Sequence, residues 1–498
     1  MFLYLKNLII NKFEFIWLPI LIYFGTFISF NFLGKESLRL DESQSIWQVN
    51  RSFNDIFPIV ASDVHLPIYN MILHWWRSIV GTDIFNQRHI SLIFFLFGII
   101  VIFFLAKLVT NNKNIGLFTA TLFAISPYMN WYASELRMYS LLVLVTMISH
   151  YFFLRIYFKL KFLRLSWVFY FLISLIGIYT HYFFSLILFS QLIFYFLFRY
   201  FFPKNTFRNL IIVASTLILA FIPWVVLVIR MRSAGNQTPL LIKPSTVDFF
   251  NIYSQQLFGF QIDYINSVIL SFWPILGLLS LLLLKKNNVL QPKFVYLGLV
   301  TFIPIILSFI VSYSVRPIFL SRYLSICLPS LFIIVGSVLF SYNTFLSRYL
   351  RILTVALMCL GLFFQIMSFG TPVKENYRGA ISYIINSTQK EDVVAISAPF
   401  TVFTFDYYYN GLNELVTIPY WDRKTTIPRF DKSTMETQIK VLANNHNKIY
   451  LLLSYDQGYE KEIKQFCDDN FLRSEAITFS PKLNLYVYDL KNPPKTNI

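Results

Sequence analysis

Two adjacent carboxylates, Asp41 and Glu42, follow closely on the first long apolar run of the chain. That run, Phe15 to Leu33, is 19 residues without a formal charge, long enough to cross a hydrocarbon core. A carboxylate placed where a span meets water can take the proton of an attacking hydroxyl. Further polar side chains stand at the edges of later apolar runs: His65 and Tyr69, Glu135 and Arg137, His181 and Tyr182, Arg316 and Arg322. Taken alone, an acidic pair at a membrane edge reads more simply as the start of a solvated loop. The elements that carry these residues decide between the two readings.

The composition is that of a membrane protein. Of 498 residues, 56% are hydrophobic, 19% aromatic and only 13% charged, with 55 phenylalanines. The net charge of +17 is unevenly spread. Residues 371–498 balance 15 basic against 15 acidic side chains, whereas 1–370 hold 27 basic and 10 acidic. The excess falls in short clusters between apolar runs, as in the cytoplasmic loops of a polytopic protein, and this pattern argues against a nucleic-acid partner. Cys327, Cys359 and Cys467 are far apart and suggest no disulfide framework or metal spacing. Lys6 and Lys12 precede a run too long for a signal-peptide core, so a retained anchor is expected.

About 11 spans are expected, near 14–33, 89–109, 115–131, 138–158, 166–181, 183–200, 210–229, 266–284, 294–313, 323–340 and 351–369. With the N-terminus cytoplasmic, the basic clusters fall inside, and nine of the ten acidic residues in 1–370 fall outside, all but Glu14. The first outer loop, 34–88, ends in an amphipathic helix candidate bearing Trp75 and Trp76, too short to span and suited to the interface. The portion Ser233 to Pro244 is expected to be mobile. After Gly370-Thr371-Pro372 the pattern becomes that of a small soluble α/β domain, 371–498, on the extracytoplasmic side. Helices are expected over Glu375–Ser387 and Pro399–Tyr408. Strands are expected over Asp392–Ser397, Lys448–Ser454 and Leu485–Leu490.

Moving a sugar from a lipid phosphate to an alcohol needs a carboxylate to accept the alcohol proton, cations to steady the departing phosphate, and apolar walls for the lipid tail. The outer side offers all three. In order along 1–370, the segments Arg39-Leu40-Asp41-Glu42, His65-Leu66-Pro67-Ile68-Tyr69, Tyr132-Ala133-Ser134-Glu135-Leu136-Arg137-Met138-Tyr139, Tyr179-Thr180-His181-Tyr182 and Ser321-Arg322-Tyr323-Leu324 resemble bacterial glycosyltransferases of the C superfamily. The closest likeness is to the protein O-mannosyltransferase and aminoarabinose transferase branch. The resemblance implies a polytopic α-helical membrane protein with an extracytoplasmic α/β domain, in the bacterial plasma (inner) membrane. It also implies inverting transfer from a polyprenyl-phosphate-linked sugar to a hydroxyl of a lipid, glycan or protein acceptor. Asp41 would be the base and Glu42 its helper. His65, Tyr69, Glu135, Arg137, His181 and Tyr182 would contact donor or acceptor, and Arg322, with Arg316 competing, would hold the lipid phosphate. Leu66 stands where the family usually has a proline, which changes the backbone preference of the preceding residue. Some members of the superfamily use a divalent metal ion, so one stays open here although no His, Asp and Glu spacing resembles a metal site.

Plainer roles compete. Arg322 can snorkel to headgroups, Glu135 and Arg137 can pair locally to fix a turn, and His65 can cap the interfacial helix. Asp63 and Asp263 are alternative acids ranked below Asp41. A transporter or flippase of lipid-linked glycans would favour paired halves and broken helices at the midplane, and no duplicated half is visible. A polymerase of lipid-linked glycans is separated less sharply, by the acidic pair after the first span.

Overall fold

The computed structural model describes residues 13–33, 36–63, 65–231, 243–261, 263–271, 291–341, 344–367, 375–423, 427–455 and 457–493. Lys6 and Lys12, most of Ser233–Pro244, the second half of the expected span 266–284, the junction 370–372 and the side chain of Asp263 lie outside the described residues. The chain forms two compact units, one of residues 1–33, 65–226 and 239–372, the other of 34–64, 227–238 and 373–498.

In chain order the helices are α1 (Phe13–Leu33), α2 (Leu40–Val49), α3 (Phe53–Ala61), α4 (Pro67–Val80), α5 (Ile84–Thr110), α6 (Lys113–Ala124), α7 (Pro127–Ala133), α8 (Tyr139–Tyr157), α9 (Leu163–Thr180) and α10 (Phe184–Leu197). They continue as α11 (Thr206–Met231), α12 (Thr246–Phe258), α13 (Asp263–Ser271), α14 (Pro292–Ser314), α15 (Leu328–Phe340), α16 (Phe345–Ile366), α17 (Tyr377–Ser387), α18 (Val402–Tyr408), α19 (Lys432–Asn445) and α20 (Glu460–Asn470).

Among the described residues, eight helical stretches are long and apolar enough to cross a membrane. The other three expected spans differ. The run 115–131 is split, because Ser126 caps a new helix by accepting from the Met129 amide at 3.2 Å and Pro127 opens it. Helix α10 has only 14 residues, and 266–284 is described only to Ser271. The candidate at the end of the first outer loop is the 14-residue helix α4, with Leu73 buried and Trp75 and Ile79 exposed.

Two devices in the first unit hold its helices together. Helices α9 and α10 join through the three residues His181–Phe183, and a Cβ at Gly177 would run into the Phe184 ring, so glycine permits this close hairpin. Deeper down, Tyr170 donates to Gln191 Oε1 at 2.8 Å, Gln191 donates to the Tyr296 hydroxyl at 3.3 Å, and that hydroxyl lies 2.6 Å from His150 Nδ1. These buried bonds tie α8, α9, α10 and α14 together where lipid offers no polar alternative.

The second unit is built on a five-stranded mixed sheet of β1 (Val393–Ser397), β2 (Glu414–Thr417), β3 (Lys448–Ser454), β4 (Leu472–Ser480) and β5 (Leu483–Asp489), in the order β2-β1-β3-β5-β4. Strands β2, β1 and β3 run parallel, and β5 and β4 are added antiparallel. Alternation sorts the side chains. Val394 and Ile396 face Ile381, Ile384 and Phe405 of α17 and α18, while Val393 and Ala395 face Met435, Ile439 and Ile463 of α19 and α20. Both faces are covered, which explains why β1 reads as a continuous apolar run. All three cysteines are free.

Candidate active site

In the second unit, Asp41 and Glu42 occupy the first turn of α2. Within the connection expected over 34–88, the chain folds into a helix whose first turn bears both acids, an element the sequence had not indicated. Glu42 is fully buried and its Oε2 accepts from the Arg39 amide at 3.0 Å, so it satisfies a backbone donor at the helix start. Asp41 is partly exposed. The alternative acid Asp63 is engaged: both the Gln44 and Gln48 side-chain amides donate to its Oδ2 at 2.9 Å. That pair of bonds ties the end of the 34–64 segment back onto α2.

In the first unit, the structure groups most of the other candidates. Arg137, 3% exposed, lies in the turn between α7 and α8, and its Nη2 donates to His65 Nε2 at 2.6 Å. Guanidinium only donates, so this His65 nitrogen is the acceptor and the ring is neutral. The Tyr69 and Ser91 hydroxyls lie 3.0 Å apart, and Ser91 Oγ reaches the Arg137 carbonyl at 3.5 Å. Glu135, 3% exposed, accepts from the Arg137 amide through its own carbonyl at 2.8 Å. His181 sits in the turn beyond α9, with Nδ1 accepting from the Phe183 amide at 3.1 Å and its ring 5.0 Å from that of Tyr323. Burial, and then the positive fields of Arg137 and Arg322, lowers its pKa to about 3, so the imidazole is neutral at physiological pH. Burial raises the pKa of Tyr132, Glu135 adds to the rise and Arg322 opposes it, so both charges act on one phenol.

Arg322 and Arg316 part company. Arg322 is partly buried, stacked 5.6 Å from the Tyr323 ring. Its turn is pinned on two sides, by Tyr128 donating to the Ser321 carbonyl at 2.6 Å and Gln256 donating to the Leu324 carbonyl at 2.8 Å. The Arg316 side chain is exposed and makes no hydrogen bond with these residues. Tyr182 is 43% exposed and its hydroxyl accepts from Trp224 Nε1 at 3.3 Å. It lines an open apolar groove of about 520 Å³ between the α9–α10 hairpin and α11, with Ser185, Ala214, Leu217 and Phe221.

Several residues escaped the sequence reading. Tyr128 and Gln256 act on the Arg322 turn through side-chain bonds across 193 and 68 residues, which no local pattern announces. Arg88 is the last residue of the expected outer loop 34–88. It is fully buried in the second turn of α5, one turn before Ser91, and a charge just inside an apolar run was the available signal. No three of His, Cys, Asp and Glu are grouped among the described residues, and Asp63 Oδ2 already accepts two amides.

No protein-family model matches the chain, and no curated protein matches it. Solved structures do. ArnT from Cupriavidus metallidurans in the apo state superposes with a TM-score of 0.62 at 13% identity, covering 96% of this chain and 98% of that one. The same protein bound to undecaprenyl phosphate gives 0.57 at 13% identity, covering 95% and 98%. The Archaeoglobus fulgidus oligosaccharyltransferase tethered with an acceptor peptide gives 0.53 at 10% identity, covering 89% of this chain and 69% of that one. At such identities the likeness is one of fold. Along nearly its whole length the chain shares the fold of ArnT, with eight helical stretches among the described residues that are long and apolar enough to cross a membrane and a small C-terminal sheet domain.

Proposed function

We propose that the protein is an inverting glycosyltransferase that moves a sugar from a polyprenyl-phosphate donor to a hydroxyl of a cell-envelope acceptor on the outer face of the membrane. The observation that carries this reading is the cationic group of the first unit. Arg137 is nearly buried and bonded to a neutral His65, and it acts with Arg322 on a neutral His181. Positive charge with neutral, donor-bearing neighbours suits a phosphate whose charge grows as its bond to carbon breaks. A protein of the same fold binds undecaprenyl phosphate.

Asp41 accepts the acceptor's hydroxyl proton as that oxygen bonds the anomeric carbon. The carbon–oxygen bond to phosphate breaks, and the polyprenyl phosphate leaves with both electrons of that bond. Attack opposite the leaving group inverts the anomeric centre. Arg137 and Arg322 hold the phosphate, Tyr69 and Glu135 orient the sugar or acceptor, and Glu42 keeps the base-bearing helix in shape. The groove beside Tyr182 receives the prenyl tail. In this reading the membrane unit handles the donor, the sheet domain is extracytoplasmic, and the N-terminus lies in the cytoplasm. No step here is routed through a metal.

The test is Asp41→Asn in membrane vesicles supplied with donor lipid. Loss of a positioned base is expected to cost roughly 10²- to 10⁴-fold in transfer while the protein still accumulates. Full transfer by that variant would remove the central assignment.

A further inference from the structure

Helix α2 is gripped from the side opposite Asp41. At 3.6 residues per turn, Ser43 and Trp47 lie about 200° and 240° around the helix from Asp41. These are the residues that meet α18. The Ser43 and Thr404 hydroxyls share a 2.7 Å hydrogen bond, and the Trp47 and Phe403 rings lie 4.8 Å apart. The chain entering α2 is held as well: the Leu38 amide donates to the Tyr408 hydroxyl at 2.8 Å, and the Arg378 amide donates to Ser37 Oγ at 3.2 Å. Thr404 and Tyr408 are one helical turn apart on α18, so a single short helix holds the chain on both sides of Asp41 in sequence. Leu38, Ser43 and Thr404 are essentially sealed from solvent, at 0%, 1% and 0% exposure.

We infer that Thr404 and Tyr408 are positioning residues for the Asp41 carboxylate, so that the C-terminal domain takes part in catalysis through α2. The inference rests on Asp41 being the base. A displacement of about 1 Å in a reacting group costs up to roughly 10²-fold in rate, and one buried and one partly buried hydrogen bond set the tolerance here.

In the test, full-length protein in liposomes receives a panel of undecaprenyl-phosphate-linked single sugars, and release of undecaprenyl phosphate is followed. Thr404→Val and Tyr408→Phe each remove one hydroxyl with little change of shape. Together they are expected to lower kcat about 30-fold with donor KM within about two-fold, while Thr404→Ser keeps the bond and stays close to the parent. In an Asp41→Asn background the same pair should move the residual rate by less than about two-fold, because the two sets of changes act on one element. Amides 41–46 should exchange faster in the double variant while β1 and β3 remain protected. Parental kcat in the double variant, an equal loss on top of Asp41→Asn, or a Thr404→Ser protein as impaired as Thr404→Val would overturn the inference. Asp41→Asn with full turnover would instead overturn the base assignment beneath it. Should the double variant not accumulate, Ser43→Ala breaks the same bond from its other end and is judged by the same outcomes.

Discussion

Replacing His65 with leucine isolates the contact that carries the proposed phosphate site. Arg137 is almost fully buried and donates through Nη2 to His65 Nε2 at 2.6 Å, a charge-assisted bond. Hydrogen bonds to charged groups contribute about 1.5–3 kcal/mol. His65 itself is only partly buried, so water replaces some of the loss and the lower half of that range applies. About 1.5–2 kcal/mol corresponds to roughly 10- to 30-fold in transfer efficiency. The loss belongs to aiming the guanidinium, so it should fall on both donor KM and kcat. His65→Gln retains a carbonyl acceptor and should recover part of the difference. The assay is transfer from a lipid-phosphate sugar over a range of donor concentrations, paired with direct binding of undecaprenyl phosphate. A His65→Leu protein with parental KM, kcat and lipid affinity would refute the role given to the His65–Arg137 pair.

The two late arginines should separate cleanly. Arg322→Ala is expected to lower transfer by roughly 10²-fold or more, as for loss of one charge-stabilising donor, and Arg316→Ala by less than about two-fold; equal effects in a transfer assay would contradict the assignment. Ala214→Trp narrows the groove beside Tyr182. Displacing about two buried methylenes of a prenyl tail costs about 1.6 kcal/mol, or roughly 15-fold, with a long-chain donor. A donor bearing only two isoprene units should be little affected, and comparison of the two donors checks the groove's occupant.

Much of the fold was open to sequence reasoning because lipid imposes a simple rule: apolar runs of sufficient length become helices. Strands β1, β3 and β5 were found the same way, as apolar runs buried by helices on both faces. Other elements left weaker traces. β2 has four residues, and β4, at the sheet edge, has mostly exposed side chains and so no apolar alternation. Helices α19 and α20 are largely polar, with only a few buried positions each. The break at Ser126–Pro127 was visible as residues, yet the apolar content on either side hid it.

The candidate site divided in the same manner. Asp41, Arg137 and Arg322 stand out as charges at the margins of spans. The residues that orient the site do so over long sequence separations, and their side chains look ordinary in their own neighbourhoods. Tyr128, Gln256 and Thr404 are such cases. Glu42 was read as a helper of Asp41, and its carboxylate accepts from the Arg39 amide at the start of the helix that carries both acids.

The hydroxyl pair of Ser43 and Thr404 joins residues 361 positions apart. At roughly 5–20 residues per second of synthesis, the second partner emerges about 20–70 s after the first. Helix α2 therefore leaves the ribosome long before its support exists, and chains that stop short of α18 never acquire that support. The order of synthesis makes the setting of Asp41 one of the last events in maturation. On the proposed reading, a chain that stops short of α18 would carry Asp41 without the contacts that position it.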